Sequence, residues 1–347
     1  MSNNNLVIFA SDLNENTGEG ILGRLFIRKL FLKYNKPSID IITPNQKFKY
    51  KGTFDNIKNT NQNNIFHKYF IPIIGALKLR HYKNRKEIIF VNYLPLWNFL
   101  IFLILPKKTV LGPITGSKIV KDKKNINTLV RRYLFPLLFN LSIFIINNKF
   151  KKIIFSTNLL KGNFYKIKKI LLHNFVLCSF NPAKIHNKKK IKKKYDLIFY
   201  NRKHRNKFNK DLVKIIEALS KTKKICIIGD KFNSLSKNIF NFGYISRKKV
   251  NLIMQKTRFV MCGQENLYSL FAIDGYNNYC QLILDKNLKK FEFANSQNFH
   301  FTDYNFSNKN LKHILQILEK RRIQKDLEFK KKLLNKKKNI DKFIELY

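Results

Sequence analysis

The chain has 347 residues, 44% of them hydrophobic, which is enough for two domains with their own cores and too apolar for a disordered chain. Its formal net charge is +48, from 69 Lys+Arg against 21 Asp+Glu. Such a field favours polyanions, whether nucleic acid, acidic phospholipid or phosphorylated substrates, but the Lys excess travels with abundant Asn, Ile and Phe, as AT-rich coding bias also produces.

Residues 6–10 read as a buried first strand. The loop SDLNENTGEG then leads into a helix over residues 21–34. Residues 38–43 form a second strand, ended by Pro44, and the Asn-rich stretch 46–68 reads as a long surface loop. A strand over 88–91, a short helix over 96–105 and a strand over 109–111 follow. The last ends in the turn Gly112-Pro113-Ile114-Thr115-Gly116-Ser117. A helix over 127–147 and a strand over 152–156 complete this half. Stretches 88–105 and 133–146 are apolar and bordered by Lys or Arg. Asn92, Pro95 and Asn98 interrupt the first, and the second is too short to span a bilayer. An anionic membrane surface suits such segments better than a crossing does.

Residues 179–194 are polar and basic without an apolar period, and read as a solvated linker. Alternation resumes beyond it. Strands over 196–200, 224–228, 259–261 and 281–284 are interleaved with helices over 208–219 and 247–256. A further helix carries Leu267, Leu270, Phe271 and Asp274. From Asn308 the chain is helical and Lys-rich. The expected domains are therefore 1–178, a linker over 179–194, 195–325, and a C-terminal helix over 326–347. Repeated strand–helix alternation indicates doubly wound parallel sheets.

Cys178, Cys226, Cys262 and Cys280 show no metal-ligand spacing, and Cys226 and Cys262 lie in apolar runs. A reducing cytoplasm fits them, and the amino terminus lacks the features of a signal peptide. Gly18-Glu19-Gly20-Ile21-Leu22-Gly23 matches the dinucleotide-binding pattern G-x-G-x-x-G. However, its loop is too long for the tight turn, Glu19 would face the pyrophosphate, and Asp40 lies inside the second strand rather than at its end. Arg202 and Lys207 directly follow a strand, where two cations can neutralise a diphosphate. Glu265 follows the strand 259–261 beside a helix start. There it either grips sugar or ribose hydroxyls or serves only as an N-terminal helix charge. His173 is a lone histidine, which is more often a packing or surface residue than a catalytic one.

Together these residues resemble the GT-B glycosyltransferases of the large retaining group 1 family, which have two Rossmann-like domains facing a cleft. The glycine loop Thr17-Gly18-Glu19-Gly20 and the turn Leu111–Ser117 are similar to that family's N-terminal motifs. Arg202 and Lys207 match the spacing that holds the donor diphosphate, although Asn201 and Phe208 stand where the family has glycine. The segment 243–284 looks like the stretch that binds donor sugar and nucleoside. Ile273, eight residues after Glu265, is not the family's second acid. Asp274 either takes that place or the ribose contact is lost.

The resemblance implies an enzyme that moves a sugar from a nucleotide-sugar to a glycan or lipid-linked acceptor in cell-surface polysaccharide or lipopolysaccharide synthesis. It would act in the cytoplasm, at the inner face of the membrane, without metal or other cofactor. Arg202, Lys207 and Glu265 would be catalytic, and Gly18, Gly20, Gly243, Asn266, Leu267 and Asp274 donor-binding. Thr115, Gly116 and His173 would lie on the acceptor side. The alternatives are a basic nucleic-acid-binding protein, for which no basic–aromatic recognition motif is present, and a nicotinamide-dependent oxidoreductase using Gly18–Gly23.

Overall fold

The computed structural model describes residues 6–15, 17–34, 38–54, 65–85, 87–92, 94–116, 133–178, 192–203, 209–264, 267–291, 296–322, 329, 331–332 and 335. They fall into two compact units, one up to His173 and one from Asn174 on.

In the first unit, β1 (Leu6–Ala10) is followed by α1 (Gly18–Tyr34), β2 (Ile39–Ile42) and β3 (Lys47–Tyr50). Then come α2 (Ile65–Arg80), β4 (Glu87–Val91), α3 (Phe99–Ile104), β5 (Thr109–Ile114), α4 (Phe135–Lys149), β6 (Lys152–Phe155) and β7 (Lys168–Leu171). The sheet order is β3-β2-β1-β4-β5-β6-β7, parallel except for the β2–β3 pair. After β1 the chain builds one side of the sheet and returns at β4 to build the other, so the switch point lies between β1 and β4. Val7, Phe9, Ile88, Phe90, Ile153 and Phe155 alternate along their strands onto one face. There they share a core with the inner sides of α2, α3 and α4. Each such side chain contributes about 1.5–3 kcal/mol on burial.

Two expectations change here. The stretch 46–68 is not all loop, because it contains β3 and the start of α2. β3 alternates Lys47, Phe48, Lys49 and Tyr50 against β2, and this buries Tyr50 completely against Phe31, with ring centroids 5.1 Å apart. The burial of one aromatic ring outweighs the polar composition around it. The helix expected over 127–147 is described from Phe135 and runs to Lys149, and residues 117–132 lie outside the described residues. Among the described residues no helix is long and apolar enough to cross a membrane.

The second unit starts with the short α5 (Asn174–Leu177). β8 (Tyr195–Asn201), α6 (Lys210–Leu219), β9 (Ile225–Gly229), β10 (Ile239–Gly243), α7 (Arg247–Gln255) and β11 (Thr257–Met261) follow. α8 (Leu270–Asn277), β12 (Gln281–Asp285), β13 (Phe299–Thr302) and α9 (Asn308–Glu319) complete it. The sheet β10-β9-β8-β11-β12-β13 is parallel throughout, with its switch point between β8 and β11. Four helices begin on side-chain caps. Asn209, Ser246, Ser269 and Ser307 accept from backbone N–H groups of the first turns of α6, α7, α8 and α9, each cap contributing about 1 kcal/mol. α8 lies close on β11 because Gly275 has no side chain: a Cβ there would stand 2.3 Å from Val260 Cγ2. α6 and α9 cover the opposite face through Leu212, Ile215, Ile216, Ile314 and Ile317.

Candidate functional site

Strand register sets Asn201, Gly229 and Met261 near one level at the carboxyl edge of the second sheet, where open α/β sheets bind ligands. Asn201 is buried, and its side-chain amide donates to the Asp230 carbonyl at 2.9 Å. The Asp230 carboxylate accepts from the Lys203 backbone N–H at 2.6 Å and from the Tyr244 hydroxyl at 2.9 Å. These two bonds, the Lys203 N–H first, hold the Asp230 carboxyl below the usual range, and the same bond raises the Tyr244 phenol. Gly229 has φ +92, and a Cβ there would meet the Asn201 carbonyl at 2.4 Å, so the close approach of the paired ends of β8 and β9 demands glycine.

Arg202 leaves β8 at this edge. Its guanidinium lies 5.5 Å from the centre of the Tyr200 ring, and that ring packs against Phe271 of α8 at 5.7 Å. An aromatic shelf thus supports a half-buried cation beside the switch point.

A second network crosses the same edge. The Asn209 side chain caps α6 through Asp211 N–H at 2.8 Å and Leu212 N–H at 3.2 Å. Its amide donates to Gln264 Oε1 at 2.5 Å, and Gln264 Nε2 donates to Asp285 Oδ2 at 2.8 Å. Asp285 Oδ1 in turn accepts from the Asn287 backbone and side chain. Gln264 therefore ties the ends of β11 and β12 to the start of α6. It was not singled out in the sequence, where its position three residues past an apolar strand and next to Glu265 is the available signal. Glu265, Asn266 and Lys207 lie outside the described residues. Leu267 is buried, so it can meet a ligand only through its backbone.

Asp274 sits on α8. Both of its oxygens accept from Arg247, Nε to Oδ2 and Nη2 to Oδ1, each at 2.7 Å. This bond raises the Arg247 pKa against the opposing effect of burial. The acid considered for a ribose contact is thus gripped by an arginine of α7. Gly243 ends β10 with φ +66, and no atom lies within 4 Å of a Cβ built there. Its backbone conformation, not space, calls for glycine.

The other predicted residues belong to the first unit. Gly18 is exposed at the start of α1. Gly20 is buried, and a Cβ there would stand 2.1 Å from the Asn14 carbonyl. Its N–H donates to Thr17 Oγ1, whose hydroxyl donates to Asp12 Oδ2 at 2.5 Å. At Gly23 a Cβ would stand 2.5 Å from Asn92 Oδ1. Gly20 and Gly23 are therefore small because the protein's own chain fills the space, and this removes the physical basis for a dinucleotide fingerprint. The Ser156 hydroxyl donates to Thr115 Oγ1 at 2.8 Å, and Thr157 donates to the Thr115 carbonyl. Gly116 has φ +72 with Leu160 closely apposed. His173 is buried just past β7. Among the described residues no group of three His, Cys, Asp or Glu side chains is placed to hold a metal ion.

Two parallel-sheet α/β units of this kind define the GT-B fold. The chain is similar to sucrose-phosphate synthase of Thermosynechococcus elongatus, at 11% identity and TM-score 0.57 over 98% of this chain and 96% of that one. It is similar to Anabaena HepE in complex with UDP-glucose, at 9% identity and TM-score 0.53 over 99% of each chain. It is also similar to UDP-GlcNAc 2-epimerase of Neisseria meningitidis bound to UDP-GlcNAc, at 11% identity and TM-score 0.53 over 99% of each. No protein-family model and no curated protein matches the sequence.

Proposed function

We propose that this chain is a glycosyltransferase that takes a sugar from a nucleotide-sugar donor and passes it to a glycan or lipid-linked acceptor in cell-surface polysaccharide synthesis. The observation that carries this reading is Arg202, a cation set on an aromatic shelf at the carboxyl edge of a parallel sheet, beside its switch point. In the reaction, the bond between the anomeric carbon and the diphosphate oxygen breaks, and negative charge grows on that oxygen. Arg202 stabilises that charge through a two-pronged contact, and Lys207 adds a second cation on the strength of its sequence position. Glu265 and Asn266 receive donor hydroxyls, with the Leu267 backbone beside them. Gly243 and Tyr244, at the end of β10, flank the donor. The first unit takes the acceptor near Thr115, Gly116 and His173. The bonds from Arg247 leave Asp274 the task of fixing α8, not of meeting the ribose.

Calorimetric titration with UDP, GDP and their common sugars tests the reading. One nucleotide should bind, and Arg202→Ala should weaken it by about tenfold or more, equivalent to about 1.4 kcal/mol or more. Failure of every nucleotide to bind overturns the proposal. A bound UDP-sugar that changes configuration without leaving its nucleotide, followed by NMR, replaces transfer with epimerisation.

A further inference from the structure

The first unit presents an apolar surface on three adjacent helices, with α3 packed between α2 and α4. Their inner sides share the core described above, yet their outer sides are apolar too. On α2 the exposed stripe is Phe70, Ile74 and Leu77, at spacings of four and three. On α3 it is Leu100 and Leu103, three apart. On α4 it is Leu137, Leu141 and Phe144, with Leu137 67% and Phe144 62% exposed. α4 also exposes Asn140 and Asn148, but outward apolar stripes on three neighbouring helices exceed the scattered apolar residues of a water-soluble surface and suit a second apolar environment.

Charge indicates which environment. The carboxyl ends of the three helices bring cations to one border of the surface. Arg80 ends α2, Lys107 and Lys108 follow α3, and Lys149 ends α4. The Lys149 ammonium donates to the carbonyls of Phe102 and Leu103 at 2.9 and 2.6 Å, which fixes it on the end of α3. Burial lowers its pKa, and the neighbouring Lys107 and Arg80 charges lower it further. No acid lies on α2, α3 or α4, and Asp122 is the sole acid between Glu87 and Asp196.

We propose that this three-helix surface docks on an anionic lipid bilayer, with the outward Leu, Ile and Phe side chains in the acyl boundary and Arg80, Lys107 and Lys149 at the headgroups. An anionic bilayer complements both features at once, because it offers an apolar interior directly beneath a negative layer. A zwitterionic bilayer or a second copy of this basic chain complements only the apolar part. The docking does not depend on the transferase reading, and its test involves no nucleotide.

The test is co-sedimentation of the full chain with sucrose-loaded vesicles. These are made of phosphatidylcholine alone or with about a third phosphatidylglycerol. The wild type should pellet with the anionic vesicles and far less with the neutral ones. Raising salt from about 0.1 M to about 1 M shortens the Debye length from about 10 Å to about 3 Å and should weaken the binding. Leu137→Glu with Phe144→Glu should reduce pelleting by about tenfold or more at unchanged melting temperature. Leu77→Glu and Leu103→Glu, tested singly, should each reduce it if the pair proves unstable. Arg80→Glu with Lys107→Glu should abolish the preference for anionic vesicles. Leu235→Glu, at a fully exposed apolar position of the second unit, should leave binding unchanged. A wild type that pellets with neither vesicle overturns the proposal. So does a dimer by light scattering that the Leu137→Glu, Phe144→Glu variant splits while vesicle binding persists, since a second copy would then cover the surface.

Discussion

Arg247 holds both carboxylate oxygens of Asp274 at 2.7 Å and so pins the start of α7 to the middle of α8. The Asp274 side chain is 12% exposed and the Arg247 side chain 42%. Water therefore screens one partner, and the pair falls between a surface bridge and a buried one. Asp274→Asn should lower stability by about 1–2 kcal/mol, read as an earlier urea midpoint at unchanged slope. Arg247→Lys should recover only part of the interaction, because an ammonium cannot present the planar fork. Nucleotide affinity should stay the same in both variants. A large loss of affinity at full stability would instead return Asp274 to the ribose.

Gln264 makes a different kind of link, neutral and two-sided. Gln264→Ala leaves Asn209 Nδ2 and Asp285 Oδ2 without the partner that each has now, and should cost about 1–2 kcal/mol. The change also frees the segment that leads to Glu265, so donor KM should rise more than the stability loss explains. Gln264→Glu sets a carboxylate against Asp285, and its destabilisation should be larger near pH 7 than near pH 4, where protonation relieves the repulsion. Chemical denaturation at the two pH values reads the difference. Equal losses at both would show that Gln264 and Asp285 are not in contact in solution.

The second unit was the more legible half, and the reason is local. β8, β9, β11 and β12 carry apolar runs bounded by polar or charged residues or Gly, and buried parallel strands need no more than that. β3 escaped because an edge strand needs only one buried ring, and Tyr50 supplies it from within a Lys-rich stretch. α2 carries Pro72 in its interior, a residue that argues against a helix on local grounds, while Ile71, Ala76 and Leu79 pack it into the core. Arg202 was legible as a candidate from its place after a strand. The ion pair of Arg247 with Asp274 was not, because its members are separated by a strand in the chain and no sequence period marks such pairing. Nor was Gln264, since an amide acquires its meaning only from the neighbours that folding supplies.

His300 on β13 gives the stability a specific pH dependence. Its ring is held against Gln281 Oε1, with 2.9 Å between Nε2 and that oxygen. Burial, then the charges of Lys320 and His313, lower its pKa from 6.5 to about 4. In the window between those values the unfolded chain binds a proton that the folded chain refuses, so stability rises with pH across it. The contribution is complete above the unfolded value and is lost as pH falls towards 4. The lowered carboxyls of Asp230 and Glu319 act in the same direction but at more acidic pH. The wild type should melt several degrees lower near pH 5 than near pH 7, and His300→Gln should show a smaller drop. Parallel melting curves for the two proteins would place the titration elsewhere.

Gly275 tests whether the seating of α8 is set by contact or by backbone freedom. Its φ is not positive, so alanine fits the backbone and on helix propensity alone would stabilise the protein by about 1 kcal/mol. Space argues the other way. The new Cβ would stand 2.3 Å from Val260 Cγ2 and 3.2 Å from Val260 Cβ, in the middle of a β-strand that cannot retreat. Overpacking of this kind costs about 1–3 kcal/mol, so Gly275→Ala should be destabilising on balance. The penalty should also reach the candidate site, because lifting α8 moves Phe271 away from Tyr200 and thereby loosens the shelf under Arg202. Val260→Ala removes the obstructing methyl groups and should reverse the sign, so that Gly275→Ala becomes neutral or stabilising in that background. A double-mutant cycle in urea measures the coupling. If the two changes were simply additive, the helix would be seated by something other than this contact, and nucleotide binding would survive the single substitution unchanged.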